Sequence, residues 1–186
     1  VTNLTTAQIV ALTTTQAAAL TSGQAFALTT AQLVGMETAD FAALNTSAIA
    51  ALRTLQVVAL TTQQVNSLSA RQVAALTTTQ LVALSTAQFA AMTTQQVAAL
   101  TTAQVATLET SDVAVLTNAQ VAAFTSAQLP SMTTDQLKAL TSAQVGALTS
   151  AQLPKFDTAQ LVGIDANDLK ALTTAAINSL TATQAP

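Results

Sequence analysis

The sequence predicts an all-α solenoid built from very short capped helices, one for each eight-residue repeat. Three observations carry that prediction. A large apolar residue returns every eight positions from Leu4 to Leu180, with no insertion or deletion across 23 repeats. The residue after it is Thr, Ser, Asp or Asn in 20 of those repeats, and Gln follows three positions later in 18 of them. The residue after that Gln is again apolar, as in Val73, Leu81, Phe89 and Val97. The consensus is Leu-Thr-Thr-Ala-Gln-Val-Ala-Ala, with positions labelled a to h and repeat 1 beginning at Leu4. No linker or change of composition divides the chain, so residues 1–186 read as one continuous array.

Each position has a physical reason. Strict alternation would put Leu and Gln on one face and Val on the other, so an ordinary half-buried strand does not fit. An unbroken helix fails as well: eight residues at about 100° each would carry the apolar stripe about 80° further round per repeat. The helix must stop in every unit, and position b stops it, because Thr, Ser, Asp and Asn are the preferred N-caps. Thr at b with Gln at e forms a capping box, in which each side chain satisfies the other residue's backbone amide. Asp40, Asp112 and Asp168 replace that Gln in three repeats. A helix from c towards the next a then places e, f and a on one arc, with d and g opposite. Position h is nearly always Ala, Gly or Ser, small enough for neighbouring backbones to approach.

Helices this short do not survive alone in water, so each must bury its a/f edge against neighbouring repeats. Pro130 and Pro154 at g pull against a helix and read as single turns with an early exit. Their 24-residue spacing suits the alternative fold, a β-solenoid with three octapeptides per coil. Frequent Ala and Gln, five aromatics and only four Gly favour helices. The octapeptide alone fixes neither the hand of the solenoid nor the number of repeats in one turn.

Composition removes most chemistry. The chain has no His, Cys, Trp or Tyr, hence no imidazole base, thiolate or ordinary zinc site, and no disulfide. Five basic and eight acidic residues give a net charge of -3, too sparse for a nucleic-acid surface. Mean hydropathy is positive, yet Thr and Gln interrupt every apolar run well short of a membrane span. The acid pairs Glu37/Asp40, Glu109/Asp112 and Asp165/Asp168 raise calcium binding or acid–base chemistry. The wide separation of the pairs, and the place of the Asp at e in the first helical turn, favour a dipole role instead. Asp157, Asp165 and Asp168, flanked by Lys155 and Lys170, read as solvated surface pairing. Met36, Met92 and Met132 all stand at a and read as core. The Gln at e completes the capping box and leaves a buried ladder between repeats open. Ser and Thr have no base to activate them. Asn3-Leu4-Thr5 and Asn45-Thr46-Ser47 match the glycosylation sequon. Paired threonines raise ice binding, but capping accounts for those at b. No catalytic, cofactor or metal residue is assigned.

With Leu100-Thr101-Thr102-Ala103-Gln104-Val105-Ala106 as a typical unit, the chain resembles the Leu-Thr-Thr-Ala-Gln-type octapeptide tandem repeats of large bacterial secreted or cell-surface proteins. Those proteins are often described as adhesin- or haemagglutinin-like. The resemblance implies an extracellular or cell-surface place. The expected function is a non-catalytic structural rod, stalk or filament subunit. The alternative is an adhesion module presenting its d/g face to a protein or glycan. Phe26 and Arg71 stand isolated on that face, which favours structure over binding. The chain starts at Val1 without a signal peptide, which reads as a processed product or an internal segment. Neither end carries an atypical polar repeat, so self-association end to end is the expected partnership, with no nucleic acid, membrane span or small-molecule substrate.

Overall fold

The computed structural model describes residues 3–184. Among them are twenty α-helices of four to six residues, two short 3-10 turns and no strand. Every α-helix begins at position c, from Thr6–Val10 in repeat 1 to Thr174–Ile177 in repeat 22. Position b is the N-cap, extended at φ near -70° and ψ near 160°, as at Thr101 (φ -72, ψ 159). The helices end at f, g or h, short of the expected reach to the next a. Where a is itself the C-cap it too is extended, as at Leu60 (φ -56, ψ 142). Two extended residues, a and b, therefore turn the chain from one helix into the next.

That junction uses no left-handed residue: among the described residues neither glycine nor any other residue has positive φ. Many helices end on a left-handed glycine that satisfies their last carbonyls. Here another group does so. In repeat 12, Gln96 Oε1 accepts the Thr93 amide at 2.7 Å, while the Thr93 hydroxyl accepts the Gln96 amide at 3.1 Å. The same Gln96 then turns its Nε2 outward from the capping box. It donates to the carbonyls of Val65 at 2.8 Å and Leu68 at 2.7 Å. One side-chain amide thus caps the start of its own helix and the end of a helix 28 to 31 residues earlier. Gln56, Gln80, Gln88, Gln136, Gln144, Gln152 and Gln160 repeat the arrangement. The capping box and the buried ladder are both present, in one residue.

The spacing of those bonds reflects the coil. Within each unit, helices pack on the helix three repeats away: Thr6–Val10 on Thr30–Gly35, Thr14–Ala18 on Thr38–Ala43, and Thr110–Ala114 on Thr134–Lys138. Three octapeptides make one turn of the solenoid. The 24-residue coil suggested by the proline spacing is real, but helices build it. Position f is the innermost: Val57, Val65, Val73, Phe89 and Val97 are fully buried, with Leu60, Leu68 and Leu76 at a close behind. Burying such a side chain is worth about 1.5–3 kcal/mol, which is what holds helices of five residues in place.

The prolines fit as expected of an early exit. Repeats 16 and 19 replace the α-helix by 3-10 turns at Leu129–Ser131 and Leu153–Lys155, with proline where no amide donor is required. The clamp survives both: Gln128 reaches Leu100 O at 2.6 Å and Gln152 reaches Phe124 O at 2.9 Å. Close packing also selects a glycine at Gly146, where a Cβ would meet the Ala171 carbonyl at 2.9 Å.

Packing sorts the helices into two compact units, one ending at Ala99 and the other beginning at Leu100. Each is a stack of three-repeat coils, while the octapeptide register in the sequence runs through the boundary unbroken.

Candidate functional site

The residues with chemical potential are placed as structural parts. Asp157 caps its helix through Oδ1, accepting the Gln160 amide at 2.7 Å, and Asp165 accepts the Asn167 amide at 2.7 Å. Asp168 accepts the Ser142 hydroxyl, and Lys170 donates to Asn167 Oδ1 at 2.9 Å. Asp40 and Asp112 are buried at the third helical position, and Glu37 and Glu109 before them make no side-chain cap. Burial, and then the neighbouring charge of Glu109, pushes the Asp112 carboxyl up to about 6, against a backbone hydrogen bond at Glu109 that pulls it down. Among the described residues no three acidic side chains gather as a metal site would require. Met36, Met92 and Met132 are buried in the anchor rows. The exposed threonines at c, such as Thr14, Thr38 and Thr62, stand at the first helical position.

The second sequon has a structural task. Repeat 6 carries Ala48 where Gln is expected, and Asn45 at b takes over both jobs. Its Oδ1 accepts the Ala48 amide at 2.9 Å, and its Nδ2 donates to the carbonyls of Leu20 at 2.8 Å and Ala18 at 3.1 Å. The amide that glycosylation would modify is therefore engaged between coils. Asn3 is exposed.

Two surfaces remain. The first lies on the N-terminal unit. Val10, Val34, Val58 and Val82 occupy g in repeats 1, 4, 7 and 10, whose helices pack one on the next. They form an apolar row along one face, with Val34, Val58 and Val82 at 37%, 52% and 37% exposure. Leu55 at d is 72% exposed beside this row. Phe26, also exposed, lies under the Arg53 guanidinium, 5.4 Å from ring centre to carbon. Arg53 also donates through Nη2 to Leu28 O at 2.9 Å, so the pair is held in place. Phe26 is therefore not isolated. Sequence reasoning missed this grouping because valine at g every 24 residues means nothing until three repeats are known to make a coil.

The second surface is the last coil of the C-terminal unit. There a cavity of about 400 Å³ is lined by Leu161, Val162, Leu169, Leu172 and Leu180. Leu161 and Leu169 stand at f, fully buried in the interior coils but only half-buried here, and Val162 is 86% exposed.

The comparison with known proteins agrees with the repeat. The model of a family described as ALTTAQ repeat matches residues 33–70, 73–110, 105–142 and 127–158, together more than half of the chain. No curated protein matches it.

Proposed function

Because the chain belongs to the ALTTAQ repeat family, a tandem-repeat family, we propose that it is a non-catalytic structural element: an elongated rod that serves as a stalk or filament subunit outside a bacterial cell. One observation carries the reading. The recurrent polar side chain of the repeat, the glutamine at e, is buried and engaged in joining coils, as in Gln56, Gln96 and Gln144. The polarity of the repeat thus goes into fastening coil to coil within each unit. The absence of His and Cys from the sequence supports a role without catalysis. Placement outside the cell rests on the resemblance to secreted and surface-protein repeats. End-to-end self-association is part of the same reading.

A second reading, an adhesion module, is favoured by one observation, the valine row with Leu55 and the Phe26–Arg53 pair. Exposed apolar rows flanked by an aromatic and an arginine are typical of protein-binding surfaces. Small-angle scattering of the purified chain tests the first reading: a maximum dimension several times the cross-section is expected, and a compact particle overturns it. Replacing Val34 and Val58 by Thr leaves that dimension unchanged under both readings, and abolishes capture of a surface partner only under the second.

A further inference from the structure

We propose that the junction between repeats 2 and 5 binds one calcium ion, held by the carboxylates of Glu37 and Asp40 and by the backbone carbonyls of Ile9, Val10 and Leu12. The site goes beyond the structural role and does not depend on it.

The sequence couples the two acids. Asp replaces Gln at e in three repeats, and in all three position b is also an acid: Glu37 with Asp40, Glu109 with Asp112, Asp165 with Asp168. Among the other repeats only Asp157 puts an acid at b. Capping does not account for the coupling, because Glu37 and Glu109 make no side-chain cap. Nor do the acids support each other, since the Glu109 charge opposes ionisation of Asp112. In repeat 21 both acids have partners, Asp165 the Asn167 amide and Asp168 the Ser142 hydroxyl. Repeat 5 differs. Asp40 is only 6% exposed, yet its carboxylate makes no hydrogen bond or ion pair among the described residues.

The register identifies what faces Asp40. Its helix, Thr38–Ala43, packs on Thr14–Ala18 before it and on Thr62–Ser67 after it, so the junction lies inside the stack. In corresponding junctions the glutamine Nε2 sits against three carbonyls, those of f, g and a. Gln80 reaches Ile49, Ala50 and Leu52 at 3.1, 3.2 and 2.6 Å. Gln88 reaches Val57, Val58 and Leu60 at 3.1, 3.3 and 2.6 Å. Counted back by the same intervals from Asp40, the three carbonyls belong to Ile9, Val10 and Leu12. A carboxylate in place of the amide leaves a ring of oxygens with no donor among them. The Leu12 carbonyl accepts nothing among the described residues. Aspartate is also one methylene shorter than glutamine, so it stops short of the place that Nε2 takes elsewhere.

Calcium takes six to eight oxygens at about 2.3–2.6 Å, mixing carboxylates, backbone carbonyls and water. Rings like those around Gln80 and Gln88 need to contract only slightly to meet that distance. Two carboxylates are too few for a site built from side chains alone, and here the backbone supplies the rest. Their two charges match a divalent ion. Magnesium, smaller and bound to its waters, suits a carbonyl ring poorly.

Calorimetric titration with calcium chloride at constant ionic strength, paired with amide exchange, tests the site. Half-saturation at about 0.1–1 mM is expected, and exchange of residues 36–43 should slow as calcium is added. Glu37→Thr with Asp40→Gln gives repeat 5 the consensus residues at b and e, and should weaken this response at least about tenfold. Glu109→Thr with Asp112→Gln should leave the response of residues 36–43 as it is in the parent. Should the repeat 5 double variant lose its helical circular dichroism, Asp40→Asn, which keeps the size of the side chain, carries the test. No slowing at ten times the expected half-saturation overturns the proposal. An equal effect of magnesium, or of sodium at matched ionic strength, overturns it as well, as does a response that survives the repeat 5 substitutions.

Discussion

Repeats 5 and 6 are neighbours in the same unit, and both lack glutamine at e, yet only one recovers what is lost. In repeat 6 an asparagine at b supplies the missing amide, so Ala48 leaves no gap in the bonding to Leu20 and Ala18. In repeat 5 the replacement is Asp40, a buried carboxylate that accepts but does not donate, preceded by Glu37, which makes no cap. The Leu12 carbonyl, where the clamp would bond, accepts nothing among the described residues. The hydrogen bond between coils needs an amide able to reach back, from either of two positions. A side chain of similar size and the wrong hydrogen-bonding character does not replace it.

The largest effect should be common to both repeats, because their apolar anchors are equally buried. Phe41→Ala in repeat 5 should cost about 3–5 kcal/mol, and Ile49→Ala in repeat 6 about 2–5 kcal/mol. Chemical denaturation followed by circular dichroism measures both. A loss below 1 kcal/mol at either would contradict the buried f row. Next comes the amide itself. Asn45→Ala removes an N-cap and two bonds between coils and should cost about 2 kcal/mol. Combining Asn45→Thr with Ala48→Gln moves repeat 6 to the consensus and should return most of that. If the double variant is as weak as the alanine, the two positions are not interchangeable.

Repeat 14 shares the acidic pattern of repeat 5, and its pH dependence sharpens the comparison. The Asp112 carboxyl is raised from 3.8 to about 6 in the folded chain, so the native state binds its proton more tightly than the unfolded state does. Its contribution to stability is present below pH 4 and is lost as pH rises through about 6, by at most about 3 kcal/mol. Asp112→Asn should remove that slope, matching the parent in acid and exceeding it at neutral pH. A parent whose melting temperature is flat across this window would show that burial does not shift the group. The smallest effect is a gain: Asp40→Gln restores the missing donor in repeat 5 and should stabilise by about 1 kcal/mol. A loss there would mean that the carboxylate has a role the glutamine cannot fill.

Most of the helix was legible from the octapeptide because capping is local. The Thr61 hydroxyl accepts the Gln64 backbone amide and the Gln64 side chain accepts the Thr61 backbone amide, three residues apart, whatever the rest of the chain does. The aspartates at e, Asp40, Asp112 and Asp168, were legible as first-turn residues for the same reason. The other half of Gln64 was not legible: its Nε2 contact to Leu33 at 2.9 Å spans 31 residues and exists only once a coil has closed. The grouping of Phe26 with Arg53, and the row from Val10 to Val82, belong to the same class of long-range facts.

The sequence by itself determined the period, the helix starts, the buried anchors at a and f, and the failure of both a plain strand and a plain helix. Those follow from hydrogen bonds within one repeat and from the arithmetic of about 100° per residue. The tertiary structure decided that three repeats close a coil. Closure depends on the direction the chain takes through two extended residues, a and b, and small rotations there accumulate with each repeat. Thr and Leu are the right residues for that junction without specifying its angle. The stacking of helices and the reach of the glutamine amide select it.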